Sequence, residues 1–310
     1  MDQATTLRDI VNAQKAQASL RPGIKGPMRV IAVTSGKGGV GKTNVVLNLC
    51  LALSRLQRRV FLLDADLGLA NVDVLLGMSP RYTLEHVLNG QRDIMDIVLE
   101  GPAGFKILPS GSGISELSEM SYEQQMRLFR ELSRIEDDVD YLFIDTGAGI
   151  SSNVLRFNAS ANEVIVIANP EPTSITDAYA LMKLLSIKYH IREFGLIANS
   201  VISEEDGQAV YDRLNRVCGQ FLNVNLNFLG MIPLDKHMRQ AVRQQQALLQ
   251  AVPPSPAARS ITRIAAALDR TPLAPGVTAP PPLATGLSAG TGGPPTGSFW
   301  DRLLHWKRVK

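Results

Sequence analysis

Arg29-Val30-Ile31-Ala32-Val33-Thr34-Ser35-Gly36-Lys37-Gly38-Gly39-Val40-Gly41-Lys42-Thr43-Asn44 is the stretch on which the reading of this chain turns. An apolar run stops at Thr34, a glycine-rich segment follows, and helical periodicity begins near Lys42. Ser35–Thr43 satisfies G-x-x-x-x-G-K-[ST] at a strand-to-helix junction, the context that gives this motif its meaning. Its glycines let backbone N–H groups turn inward around phosphate oxygens, and the following helix adds the positive end of its dipole. Gly36, Lys37, Gly38, Gly39, Val40, Gly41, Lys42, Thr43 and Asn44 are therefore expected to cradle a nucleotide. Lys42 is expected on the β- and γ-phosphates and the Thr43 hydroxyl on Mg²⁺, which makes ATP with Mg²⁺ the expected ligand pair.

Outward from this loop the pattern repeats. Val60–Leu63, Phe105–Leu108, Val139–Ile144, Val164–Ala168, Phe194–Asn199 and Leu226–Ile232 are short apolar runs, with helical periodicity between them. Continuous apolar runs suit strands buried on both faces, and alternation of β and α implies a doubly wound, mostly parallel α/β sheet. The expected ATPase domain spans 29–270. Residues 1–20 form a separate expected helix, with 21–28 as its linker. Pro, Gly, Ala, Thr and Ser dominate 271–298, which predicts a flexible tether with little to bury, leading to a last segment, 299–310.

Two acidic stretches complete the expected site. Asp64-Ala65-Asp66 leaves the end of the second run, and Asp145-Thr146-Gly147-Ala148-Gly149 ends another. Carboxylates at the carboxyl ends of parallel strands sit where open α/β sheets bind their ligands. Asp145 is expected in the Mg²⁺ coordination shell, and the glycines after it in a loop responsive to the γ-phosphate.

The loop's first lysine, in K-G-G-x-G-K-[ST], resembles the deviant Walker A motif of the MinD/ParA group of P-loop ATPases, the SIMIBI class. That resemblance implies that Lys37 reaches the phosphates of a partner subunit across an ATP-bound homodimer, so Lys37, Lys42 and Asp66 are the expected catalytic residues. It further implies that Asp66 positions the attacking water and that Asp64 lies near the metal's outer shell. MinD-like proteins often carry D-x-P-A-G where this chain has Thr146-Gly147, a departure that affects subfamily and not nucleotide binding. Asn199, Pro233 and Asp235 resemble the group's base-contacting positions, and the absence of an N/T-K-x-D motif favours adenine over guanine.

Asp2-Gln3-Ala4-Thr5-Thr6-Leu7-Arg8 matches D-Q-A-x-x-L-R, and with Asp66–Asp73 and Asp145–Ile150 it resembles the flagellar number regulators FlhG, also called FleN. The resemblance spans 1–270. It implies that Asp2, Gln3, Ala4, Leu7 and Arg8 contact FlhF, an SRP-type flagellar GTPase, and stimulate it. Contacts with a flagellar transcription regulator and basal-body components are implied as well, although no motif for them can be located. Alternatively, residues 2–20 form a solvated helix docked on their own domain.

Net charge is +3, and the basic excess lies in the last segment, where Arg302, Lys307, Arg308 and Lys310 face Asp301. The rest is formally neutral, so no specific nucleic acid is expected, although Arg239, Arg243, Arg259 and Arg263 offer a possible DNA surface. Phe299, Leu303 and Trp306 fall within a narrow helical arc, with Trp300 and Leu304 beside them. Aromatic and basic residues together suit an anionic bilayer surface, and the segment resembles the membrane-targeting helix of MinD and FlhG. Docking on its own domain is the alternative. Cys50 and Cys218 match no metal or redox spacing, and the start lacks a signal-peptide pattern, so a cytoplasmic protein that visits the inner membrane surface is expected. A MinD-like division-site ATPase, a ParA-like partitioning ATPase, and a non-hydrolysing interaction module with structural nucleotide are the competing functions.

Overall fold

The computed structural model describes residues 28–66, 72–109, 121–251, 255–271 and Leu303. The expected helix over 1–20 with Asp2, Gln3, Ala4, Leu7 and Arg8, the tether, and Phe299, Trp300, Leu304 and Trp306 lie outside the described residues.

The strands are β1 (Arg29–Ser35), β2 (Val60–Ala65), β3 (Leu99–Glu100), β4 (Lys106–Leu108), β5 (Tyr141–Ala148), β6 (Glu163–Ala168), β7 (Glu193–Val201) and β8 (Asn225–Pro233). They form one sheet in the order β3-β4-β2-β5-β1-β6-β7-β8. Every pairing is parallel except β3 with β4. The helices are α1 (Lys42–Arg55), α2 (Val72–Leu75), α3 (Leu84–Leu88), α4 (Ile94–Ile97), α5 (Tyr122–Ser133), α6 (Ser152–Ser160), α7 (Pro172–Tyr189), α8 (Glu204–Phe221), α9 (Lys236–Arg243), α10 (Leu248–Ala251) and α11 (Pro256–Arg270).

Strand side chains alternate between two apolar layers, as the pleat requires. Ile31 and Val33 of β1, Leu62 of β2 and Phe143 of β5 pack with α1, α10 and α11. Val30, Ala32, Leu63, Leu142 and Ile144 face the opposite way, toward α3, α4 and α5. Farther along that face, Val164, Val166, Leu196 and Ala198 pack with α7 and α8. Both faces of the central strands are covered, which is why their sequences read as unbroken apolar runs.

One strand end differs from the sequence expectation by more than two residues, and one strand was not expected. β5 runs on to Ala148, because Thr146 pairs with Ala65 and Ala148 with Ser35, past a register shift in which β5 carries one more residue than β1. Thr146-Gly147-Ala148 has little strand propensity, and two flanking strands supply the ladder that sequence alone does not show. β3 is a two-residue antiparallel edge strand, too short to carry any periodicity.

The end of the last helix of the domain is fastened to the starts of the central strands β1, β2 and β5. Arg29 at the start of β1 chelates the Glu163 carboxylate at 2.9 Å through Nε and Nη2. Its Nη1 donates to the Leu268 and Thr271 carbonyls, both at 2.8 Å. Arg58 donates to both Asp269 oxygens at 2.8 and 3.0 Å, and the Tyr141 hydroxyl adds a bond at 3.0 Å.

Candidate nucleotide site

β1 lies at the middle of the sheet, between β5 and β6, and the chain reverses its direction of winding there. The crevice beyond such a switch point is the ligand site of doubly wound sheets. The loop 36–41 occupies it and delivers the chain into α1. A Cβ on Gly36 would lie 2.1 Å from the Asp177 carbonyl carbon of α7, so only glycine fits. Gly41 caps α1 with φ 87°, a left-handed conformation natural to glycine, and no side chain caps the helix. The first N–H groups of α1 are thus left to an anion. Thr43 and Asn44, in the first turn, are half-buried.

Lys42 opens α1, and its Nζ lies 2.6 Å from Asp145 Oδ1, with both side chains buried. Asp145 Oδ2, by contrast, is buried with no hydrogen-bond partner among the described residues, as is Thr34 Oγ1. A buried carboxylate oxygen without a donor suits a cation or a cation-bound water, so Asp145 fits the magnesium role read from the sequence.

Asp64 pairs with Asp145 in register, which brings the two acidic strand ends side by side. The Asp64 oxygens accept from the Asp66 N–H at 3.2 Å and the Val72 N–H at 3.3 Å, holding together the two ends of the segment 66–72. Asp66 directs its carboxylate toward Gly147, with Oδ1 at 3.4 Å from where a Cβ would stand. The two segments expected to sense the γ-phosphate therefore touch. The Thr146 hydroxyl donates to the Val33 carbonyl at 3.1 Å, and the Gly149 N–H donates to Ser35 O at 2.9 Å, tying the second segment to the phosphate loop.

Lys37 lies apart from this cluster. Its ammonium pairs with Glu171 and donates to Thr173 Oγ1 at 3.0 Å, at the start of α7. Glu171 and Thr173 carried no site role in the sequence reading. They meet Lys37 because β1 and β6 are neighbours, and that adjacency is visible only once the strand order is known.

The three residues expected at the base have different surroundings. Asn199 is buried beside the loop, where its Nδ2 donates to the Val40 carbonyl at 2.7 Å. Pro233 ends β8 in register with Val201. The Asp235 carboxylate serves the fold: it accepts from the His237 N–H at 2.9 Å and the Ala257 N–H at 3.1 Å, joining the starts of α9 and α11. Burial alone would raise its pKa, yet those bonds and its contact with the His237 ring hold it below the usual carboxylate range. Arg239, Arg243, Arg259 and Arg263 are exposed on α9 and α11.

Leu303, expected to face lipid, is 1% exposed and packs in the apolar layer with Val30, Phe61 and Phe157. Its carbonyl accepts from Arg156 Nε of α6 at 2.6 Å. Here the Leu303 side chain faces protein, as in the alternative of docking on its own domain. Burial pushes the Arg156 guanidinium down to about 10.

A parallel sheet with a phosphate loop after its central strand, a buried Lys–Asp pair beneath the loop and a second lysine on its rim defines a P-loop ATPase of the MinD/ParA type. Residues 28–193 match the family model described as an AAA domain. The chain is 47% identical over 247 residues to the antiactivator FleN of Pseudomonas aeruginosa, covering 80% of this chain and 88% of that one. It is 33% identical over 268 residues to the flagellum site-determining protein YlxH of Helicobacter pylori, covering 86% and 90%. The chain belongs to this FleN/YlxH family of MinD/ParA-type ATPases. Among solved structures, MinD of Pyrococcus horikoshii in complex with Mg-ADP superimposes with a TM-score of 0.62 at 26% identity, covering 78% of this chain and 96% of that one.

Proposed function

We propose that this ATPase is a dimerising switch that regulates the number or placement of flagella. The observation that carries the reading is the separation of the two loop lysines: Lys42 is buried against Asp145, while Lys37 sits on the rim with Glu171. A rim cation is placed to meet phosphate on a second molecule, and charge delivered in trans stabilises the transition state only when two subunits close. Lys42 then exchanges Asp145 for the β- and γ-phosphates. Thr43 and Asp145 would hold Mg²⁺, with Asp64 behind them, and the metal would supply charge neutralisation on the phosphates. Asp66 orients the attacking water from its place against Gly147. Asn199 and Pro233 border the base, with Asn199 Oδ1 as an acceptor suited to the adenine amino group.

The relatives named FleN and YlxH support a flagellar role. Asp2, Gln3, Ala4, Leu7 and Arg8 are the residues we assign to stimulating the flagellar GTPase FlhF, with Gln3 orienting its water and Arg8 pairing with acidic oxygens. A transcription regulator and basal-body components are further partners in this reading. Reversible residence on the cytoplasmic membrane through the segment 299–310 belongs to the same reading, and two such segments in a dimer bind far better than one.

The test has two arms. Asp66→Ala should accumulate as a dimer with Mg-ATP in size-exclusion chromatography and lose hydrolysis; a variant that stays monomeric rejects the switch. A peptide of residues 1–20 should raise GTP hydrolysis by FlhF, and Gln3→Ala should abolish the effect. No stimulation by the peptide or the whole chain rejects the FlhF role.

A further inference from the structure

We propose that Gln245 is a positioning residue for hydrolysis, which holds α2 against the end of α9 and, through α2, sets the Asp64 carboxylate beside Asp145. The inference rests on the metal role given above to Asp64 and Asp145. It begins with a backbone conformation. α9 ends in a turn where the Gln245 N–H donates to Val242 O at 3.1 Å and the Gln246 N–H to Ala241 O at 3.0 Å. This paired closure puts one residue in the left-handed region, where glycine is usual. Here that residue is Gln245, with φ 55°. A side chain held in that region costs free energy that glycine does not, so its contacts have to offset the cost.

The Gln245 amide donates through Nε2 to Val74 O of α2 at 3.2 Å. Gly77 closes α2 with a turn of the same kind: its φ is 62°, its N–H lies on Val74 O at 3.2 Å, and the Met78 N–H lies on Asp73 O at 2.8 Å. A Cβ on Gly77 would stand 3.0 Å from Gln245 Oε1 and 3.3 Å from Gln245 Cβ, so the glutamine rests against the glycine. Two helix ends 171 residues apart in sequence thus meet. Leu75, Leu76 and Met78 on one side and Met238 on the other pack on the same apolar layer. α2 in turn serves the site. Its first residue, Val72, donates its N–H to Asp64 Oδ2 at 3.3 Å, and Asp64 lies in register with Asp145. A shift of α2 withdraws that donor and loosens Asp64. The Gln245 bond is exposed, so it adds little to folding stability in water. Its worth is in placement, since a misplacement of about 1 Å arising far from the chemistry can lower turnover by about a hundredfold.

The experiment compares the full chain as wild type, Gln245→Gly and Gln245→Glu. It reads turnover at saturating protein and Mg-ATP, the Mg²⁺ concentration for half-maximal turnover, affinity for a fluorescent ADP in EDTA, and the thermal unfolding midpoint without nucleotide. Gln245→Gly gives the turn its usual residue, so its unfolding midpoint should equal or exceed that of wild type. Its turnover should nevertheless fall roughly three- to tenfold, the equivalent of one neutral hydrogen bond. Its Mg²⁺ requirement should rise, and its ADP affinity in EDTA should be unchanged, because the route from Gln245 ends at the metal. Gln245→Glu keeps the length, replaces the donor with an acceptor, and should lose turnover at least as far. Wild-type turnover in either variant overturns the proposal. Losses of turnover matched by losses of unfolding midpoint and of ADP affinity overturn it too, by making Gln245 a structural contact only. Asp64→Asn tests the reading underneath: if its Mg²⁺ requirement is that of wild type, the metal role of Asp64 fails and takes the proposal with it. A raised requirement in Asp64→Asn beside an unaltered Gln245→Gly removes the proposal alone.

Discussion

Lys42 Nζ and Asp145 Oδ1 stand 2.6 Å apart beneath the phosphate loop, with the lysine side chain 7% and the aspartate 0% exposed. The group proposed to bind phosphate and the group proposed to hold metal pair with each other. Removing one partner of a buried pair leaves an uncompensated charge, which costs about 3–5 kcal/mol. Lys42→Ala should therefore lower the stability of the nucleotide-free protein in urea unfolding, besides abolishing nucleotide binding. Adding Asp145→Asn to Lys42→Ala should recover part of that stability and none of the binding. A Lys42→Ala protein as stable as wild type would show that the pair carries no weight in the fold.

Asn199 and Asp235 lie at adjacent strand ends yet have different tasks. Asp235 accepts backbone N–H groups from His237 and Ala257, so Asp235→Ala should cost about 1–2 kcal/mol of stability, as lost caps do. Its affinity for a fluorescent ADP should stay within about twofold of wild type. Asn199 braces the loop through Val40, and Asn199→Ala should weaken ADP binding about fivefold, the equivalent of one neutral hydrogen bond. Equal losses of affinity in the two variants would return Asp235 to the base site.

Asp269 gives the fold a sign in acid. Burial would raise its pKa, but the Arg58 fork and the Tyr141 hydroxyl hold it below the usual carboxylate range. A depressed folded-state pKa contributes stability above the unfolded value of about 4, and that contribution is lost as pH falls through the folded value. Asp269→Asn should thus be less stable than wild type by about 1–2 kcal/mol at pH 7. The gap should narrow as pH drops below about 4, because protonation takes the same charge from the wild type. Unfolding midpoints at pH 7, 5 and 3.5 check this, and a gap that widens in acid contradicts it.

The phosphate loop was legible because its residues make contacts fixed by local spacing: strand, glycines, Lys42, Thr43. The sheet was legible for a related reason, since strands covered on both faces carry unbroken apolar runs whatever their order. What the order itself decides stayed hidden. Glu171 is 134 residues from Lys37 and meets it only because β6 was laid against β1. Thr146-Gly147-Ala148 reads as loop on propensity, and the strand partners Ala65 of Thr146 and Ser35 of Ala148 are assigned by the fold. The bond that the Asp235 carboxylate accepts from Ala257, 22 residues away, is likewise invisible to local spacing.

Leu303 has two environments to satisfy. A leucine on a lipid-binding face must be available to the bilayer, whereas here its side chain is buried with Val30, Phe61 and Phe157 and its carbonyl receives Arg156 Nε. Truncating a leucine buried to this degree costs about 2–5 kcal/mol, the range set by how far the site can collapse. Leu303→Ala should therefore destabilise the nucleotide-free protein by an amount within that range in urea unfolding. If the leucine serves lipid as well, the same variant should bind anionic vesicles more weakly in Mg-ATP, and wild type should bind them poorly without nucleotide. A variant of unchanged stability would mean that Leu303 spends little time in the groove. Weak vesicle binding by wild type even in Mg-ATP would leave the groove as its only site, because α6 starts directly after the Gly147–Ile150 segment and would have no released state to report.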